Sequence, residues 1–324
     1  MKNRKLGKTG LEVSEIGFGG WAIGGYSWGP QKDVDSRAAL STAYELGVNL
    51  FDTALVYGYG MSERLVGEFV RSTGARERLV VATKINPMNW EFPASDVGVD
   101  QVFPPHHIKQ ALNESLRNLK LEYVDLISLH VYAENFADDL AWLDTLDSLK
   151  QVGKLRHIGV SVNSFQPNAA LRIVETGRVD VITVHYNVFE QAPADRLFAA
   201  VAKTGVGLLI RSPLEFSALT GDLLEDVRFS EGDHRAAYFA GDRLRKTVSR
   251  VESLRPVLEG AAGSMTLGAL RFALSCPDVS SVLVGMRNAE QARENVRASD
   301  DGPLSSEVLS TLLRHRWDRT EARW

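Results

Sequence analysis

The chain has a single cysteine, Cys276, so no internal disulfide can form and no cysteine pair is spaced to hold zinc. No apolar run approaches the ~20 residues that a membrane-spanning helix needs. The opening MKNRKLGKTGLEVSEIG is basic, but no apolar stretch follows it of the kind a secretory signal carries. A dominant sign of charge is missing too: 37 Lys and Arg stand against 41 Asp and Glu, a net charge of −4. That balance gives no global reason to seek DNA or an anionic membrane. The expectation is a cytoplasmic protein in a reducing compartment, with neither nucleic acid nor membrane as partner. No Pro-, Gly- or Ser-rich linker divides the 324 residues, which read as one domain over 1–324. No heptad or repeat speaks to oligomeric state.

What the chain does contain is an alternation of short apolar runs and amphipathic stretches. IGFG (16–19), VNLFDT (48–53), LVVATKI (79–85) and YVDLISLH (123–130) have strand character. So do HIGVSV (157–162), DVITVHY (180–186), GVGLLIRS (205–212) and SSVLVGM (280–286). Helix-like stretches lie between them. Asp33 opens the first, Ser62 and Glu63 head ERLVGEFVRS, and HIKQALNESLRNLK (107–120) and DDLAWLDTLDSLKQVG follow. Pro167 opens the next, another runs near Ala194 to Lys203, Thr266 caps LGALRFALS, and AEQARENVRA comes last. Eight strand-then-helix units predict a parallel α/β barrel. A doubly wound sheet would open with G-x-G-x-x-G leading into a helix, whereas Gly17, Gly19, Gly20, Gly24 and Gly25 lead into Trp, Tyr and Ser.

Two segments exceed a minimal barrel. Asn86 to Pro105 carries Pro87, Pro93, Pro104 and Pro105 with Trp90, Phe92 and Phe103, and Leu214 to Met265 follows the seventh strand. Insertions at the C-terminal ends of strands are where barrels build pockets, although either segment also reads as a surface loop. Within the second, 242–260 is expected to be partly helical. Trp21, Tyr26, Trp28, Trp90, Phe92, Phe103 and Tyr132 could wall a substrate pocket or anchor loops.

Strand side chains alternate between lumen and helix layer. With Phe51, Val81, Ile127, Val160 and Ile182 facing the helices, the last inward residue of six strands is polar: Asp52, Lys84, His130, Ser161, His185 and Arg211. All sit at the strand end where barrel enzymes keep their chemistry. Asp52, Lys84 and His130 come from successive strands, and Tyr57 follows Asp52 by five residues. A phenol titrates near ~10, and an adjacent ammonium lowers that value. A carboxylate beside the ammonium keeps it charged, and an imidazole can orient a carbonyl oxygen. Such a set protonates a carbonyl oxygen as hydride arrives at its carbon. Singly, each residue has an ordinary structural role; their shared order at one barrel mouth favours the chemical one. A barrel glycoside hydrolase would need two inward carboxylates, and the alternation supplies Asp52 alone.

At these residues the sequence resembles the aldo-keto reductase family over essentially its whole length. The motifs are KLGKTGLEVSEIGFGGWAIGG, FDTALVYGYGMSERLVGE, ATK (82–84), YVDLISLH, GKLRHIGVS and VGMRNAEQARENV, in the family's order. The resemblance implies a (β/α)8 TIM barrel with an N-terminal β-hairpin and C-terminal loop insertions. It implies an NADP(H)-dependent, metal-free oxidoreductase interconverting an aldehyde or ketone with its alcohol, NAD(H) being the other candidate nucleotide. Tyr57 would be the general acid, Lys84 and Asp52 its relay, and His130 the carbonyl orienter. Gly20 and Trp21 match the first cofactor loop, and Ser161 and Asn163 the pair on the carboxamide, with Val162 inserted between them. His185 stands where the family often has glutamine, and Arg211 where many members stack a tyrosine. Ser212, Pro213, Leu214 and Ser217 resemble the pyrophosphate loop. Gly285, Arg287, Gln291 and Asn295 resemble the adenosine end, with Arg287 available to a 2′-phosphate. The resemblance also admits a second reading, an NADPH-binding sensor or regulatory subunit.

Overall fold

The structure, a computed structural model, describes residues 1–92 and 97–318. An antiparallel hairpin of β1 (Asn3–Lys5) and β2 (Glu12–Ser14) comes first. Then follow β3 (Ile16–Gly19), α1 (Asp33–Glu45), β4 (Leu50–Asp52), α2 (Met61–Ser72) and β5 (Val80–Ile85). After α3 (Val99–Val102) and α4 (Pro105–Leu119) come β6 (Val124–Tyr132), α5 (Ala141–Gln151) and β7 (Leu155–Val162). Next are α6 (Leu171–Glu175), β8 (Val181–His185), α7 (Pro193–Thr204) and β9 (Gly207–Arg211). The chain continues through α8 (His234–Tyr238), α9 (Arg243–Ala262), α10 (Met265–Leu274), β10 (Ser281–Gly285), α11 (Ala289–Val296) and α12 (Ser306–Leu313). Strands β3 to β10 form a closed parallel barrel in which β10 pairs with both β3 and β9. This is the (β/α)8 barrel with its N-terminal hairpin.

The strand pleat sorts side chains into two cores, as the alternation requires. Phe51, Val81, Ile127, Val160 and Ile182 pack against the helices. Leu50, Ala82, Leu126, Val181, Leu209 and Leu283 fill the lumen, where Leu6 and Val13 of the hairpin segment join them and plug the base. Each such side chain contributes about 1.5–3 kcal/mol by leaving water. Gly7 lets the plug seat: its φ is 50°, and a Cβ there would lie 2.3 Å from the Gly207 nitrogen.

Three helix starts differ from the sequence expectation. Ser62 and Glu63 do not cap α2; they are buried in its first turn. Ser62 Oγ donates to Gly20 O at 2.7 Å, while Glu63 accepts from Thr83 at 2.7 Å and Asn118 at 2.8 Å. Both residues tie the helix to neighbouring elements, a use the local pattern does not reveal. Pro167 does not open a helix, because Asn163 Oδ1 accepts from the Phe165 amide at 2.9 Å and the chain turns until Leu171. Thr266 lies inside α10, whose cap is Ser264, accepting from the Leu267 amide at 3.2 Å. The helical expectation for 242–260 matches α9. Pro93, in the first insertion, lies outside the described residues.

Candidate active site

Parallel register carries the polar strand ends to one mouth. Asp52 pairs with Ala82, Lys84 with Ser128, and His130 with Ser161. Two residues along from Ala82 on the same face, the Lys84 ammonium reaches back to β4. It donates to both Asp52 oxygens, at 2.8 and 2.6 Å, and to Thr53 O at 2.8 Å. Lys84 is 3% exposed and Asp52 6%, so this ion pair is dehydrated and short. The same ammonium lies 4.8 Å from the centroid of the Tyr57 ring, close enough for each group to act on the other's ionisation. Tyr57 lies against Trp21, stacked at 5.8 Å, and meets the edge of His130 at 5.9 Å. Phe92 covers the other side of His130 at 5.4 Å.

Backbone constraint holds Tyr57 in place. Gly58, Tyr59 and Gly60 all have positive φ. A Cβ on Gly58 would lie 2.0 Å from Gly24 O, so the Tyr57 loop and the β3 loop pack backbone to backbone.

The electrostatics follow from burial. Burial pushes the Tyr57 phenol above its ordinary value; Lys84 and Arg211 pull it back and Asp52 adds to the rise. Lys84 thus acts in the expected direction, but burial of the phenol wins and it stays protonated at neutral pH. Burial also lowers Lys84, yet Asp52 and Tyr57 outweigh it and hold the ammonium above its usual range. Asp52 is raised by burial against the pull of Lys84, with which it forms the ion pair. His130 is driven well below the ordinary imidazole value, by burial first and then by Lys84 and Arg211. Its Nδ1 has no partner among the described residues. The cluster therefore offers a neutral phenol, a neutral imidazole and a fixed ammonium.

These groups border a cavity of about 520 Å³. Trp21, Asn163, Arg211, Ser212, Pro213, Leu214 and Ser217 border it, as do Gly285, Arg287, Gln291 and Asn295. Arg211 Nη2 donates to Val162 O at 3.0 Å and Ser164 Oγ at 2.8 Å. Asn295 Nδ2 donates to Gly285 O at 3.2 Å. Three expected residues do not border the cavity. Gly20 is enclosed, its nitrogen donating to Asp52 O at 2.7 Å. Ser161 is fully buried, with Oγ unbonded among the described residues, in register with cavity-lining His130 and Thr183. His185 lies behind the wall, its Nε2 2.9 Å from Glu215 Oε2. Asn187 donates to the same oxygen at 2.7 Å, and the Tyr238 hydroxyl donates to Glu215 Oε1.

Of the aromatic candidates, Trp21, Trp28 and Phe92 border the cavity. Phe103 and Tyr132 belong to the core, while Tyr26 and Trp90 are exposed. Sequence reasoning missed Phe216, His234 and Arg235, which the second insertion brings to the cavity. It also missed Glu215, although its place directly after Ser212, Pro213 and Leu214 was a usable signal.

The model of the Aldo/keto reductase family matches residues 15–316. The chain belongs to that family. This aldo/keto reductase is 30% identical to the NADH-specific methylglyoxal reductase of Escherichia coli (strain K12), over 99% of this chain and 100% of that protein. It is 31% identical to the L-galactose dehydrogenase of Arabidopsis thaliana, over 91% of this chain and 87% of the relative. Among solved structures, an aldo-keto reductase from Bacillus halodurans in its holo form superposes with a TM-score of 0.76 at 25% identity, covering 100% of this chain and 98% of that one. Oxidoreductase chemistry on a nicotinamide cofactor is the family's activity. Among the described residues, no helix is long and apolar enough to cross a membrane.

Proposed function

We propose that this aldo/keto reductase interconverts an aldehyde or ketone with its alcohol, using NADP(H), with Tyr57 as general acid and base. The observation that carries the reading is the contact set joining Asp52, Lys84, Tyr57 and His130 at the cavity floor: the Asp52–Lys84 ion pair, the ammonium over the Tyr57 ring and the Tyr57–His130 ring contact. The residues present fit a dinucleotide. The floor holds a proton donor, the buried Ser161 hydroxyl is unbonded, and Arg287 and Arg235 bring guanidinium groups to the cavity. Trp21, Asn163, Arg211 and the segment Ser212–Leu214 with Ser217 would hold the nicotinamide and pyrophosphate, with Ser161 behind them in the wall. Gly285, Arg287, Gln291 and Asn295 would hold the adenosine end. His185 would act behind the wall through Glu215. Because the Escherichia coli relative is named NADH-specific, the choice of nucleotide rests on this chain's own residues.

When bound, the nicotinamide supplies hydride to the carbonyl carbon or accepts it back. Tyr57 holds its proton on the phenol oxygen until negative charge develops on the carbonyl oxygen, then gives it up. Lys84 stabilises the phenolate left behind, and Asp52 keeps Lys84 charged and aimed. His130, held neutral, presents an N–H to the carbonyl oxygen without competing for the proton. Trp21 and Phe92 exclude water from the reacting atoms. In oxidation, the Tyr57 phenolate takes the alcohol proton back.

The test is Tyr57→Phe. Turnover of aldehydes with NADPH should fall by about 10²–10⁴, the usual worth of a general acid, while nucleotide affinity by fluorescence titration holds. Turnover near that of the wild type removes the mechanism.

A further inference from the structure

Arg287 follows β10 and is held by neutral groups. Its Nε donates to Gln31 Oε1 at 2.8 Å, and its Nη2 donates to Pro30 O. Gln31 Nε2 returns a bond to Arg287 O at 2.7 Å and another to Ser36 Oγ at 3.0 Å. The Nε–Nη2 edge of the guanidinium is thus occupied, while Nη1 makes no hydrogen bond among the described residues. No carboxylate pairs with Arg287 among the described residues, whereas Arg235 takes Asp233 at 2.7 Å. Both guanidiniums border the cavity, and Gln31 does not.

A glutamine carbonyl fixes the plane of a guanidinium without cancelling its charge. A carboxylate at the same place would do both. We infer that Gln31 is a positioning residue for phosphate recognition, clamping Arg287 so that its uncancelled charge and open Nη1 edge meet the ribose 2′-phosphate of NADP(H). The inference rests on the nicotinamide-dependent reading above and deepens it, since it names a residue away from the cavity that sets the nucleotide preference.

The experiment is fluorescence titration of NADPH and NADH against the wild type, Gln31→Glu, Gln31→Ala and Arg287→Ala. Gln31→Glu should weaken NADPH by about tenfold or more, because the new carboxylate takes the charge, and leave NADH within about twofold. Gln31→Ala, which loses orientation but keeps charge, should fall between Gln31→Glu and the wild type. The NADPH-to-NADH ratio is the readout, since general loosening of the loop would move both affinities together. If Gln31→Glu and Gln31→Ala keep that ratio within about twofold of the wild type, or if Gln31→Ala tightens NADPH, the inference is overturned. Wild-type protein that binds neither nucleotide overturns the functional reading as well, which separates the two failures.

Discussion

Replacing Lys84 with methionine removes the central charge of the buried cluster and leaves the Asp52 carboxylate, 6% exposed, without its ammonium. Breaking a buried pair from one side costs about 3–5 kcal/mol, because the remaining charge stays dehydrated. A chain of 324 residues unfolds with an entropy near 2.1 cal/mol/K per residue, so each kcal/mol shifts Tm by about 1.5 °C. Lys84→Met should therefore lower Tm by about 4–7 °C. Asp52→Asn should cost a similar amount, because it strands Lys84. The double variant has no buried charge left at this point and should recover most of the loss. Differential scanning fluorimetry of the four proteins at pH 7.5 measures the cycle. Turnover should not recover with stability, since the double variant lacks the ammonium that lies against the Tyr57 ring and leaves only the weaker pull of Arg211 on the phenolate. If the double variant loses the sum of the two single shifts, the residues are independent and the proposed relay has no energetic basis.

Two further outcomes follow from the geometry. His130 titrates below its unfolded value of ~6.5, so the unfolded chain takes up that proton first as pH falls. Stability is lost below about pH 6.5, at up to about 1.36 kcal/mol per pH unit, until the folded-state value is reached. Tm should therefore fall more steeply from pH 7.5 to 5 in the wild type than in His130→Gln, and equal slopes would contradict the burial argument. Gly58→Ala must both adopt a left-handed φ of 65° and displace Gly24 O from 2.0 Å. It should cost more than the ~1–3 kcal/mol of backbone strain alone and lower turnover, because Tyr57 precedes it. Gly74→Ala, with φ of 60° and nothing within 4 Å, isolates the strain when both variants are unfolded in urea.

The floor of the cavity was legible because period-two alternation survives in short strands. With Phe51 facing the helices, Asp52 has to face the lumen, and the same alternation places Lys84 and His130. The bulky outward residues carry each register, and a slip of one residue would turn that strand's polar end away from the lumen. The proposed adenosine end was legible as residue identities but not as partners, because Gln31 and Arg287 are 256 positions apart. His185 was read as a cavity residue on sound parity. It is withdrawn from the cavity because the loop after β9 folds Glu215 onto it, through three successive non-glycine residues, Glu215, Phe216 and Ser217, with positive φ. No local rule announces that conformation in residues of these types. The helix start at Ser62 failed for a related reason: a hydroxyl beside a helix is equally suited to a tertiary tie, and only the neighbours decide. At Thr266 the cap falls instead to Ser264, two residues upstream.

The seam of the barrel joins residues 16–19 to 282–285. The first and last strands of the cylinder are thus wed across nearly the entire polypeptide, and Gly19 and Gly285 meet at the wall of the cavity. During synthesis β3 must wait for β10, its edge unpaired, until almost the whole chain has left the ribosome. Catalytic competence therefore arrives late and all at once. A chain cut short near residue 280 should show no fraction of the activity, and the waiting edge of β3 is where a chaperone would have the most to protect.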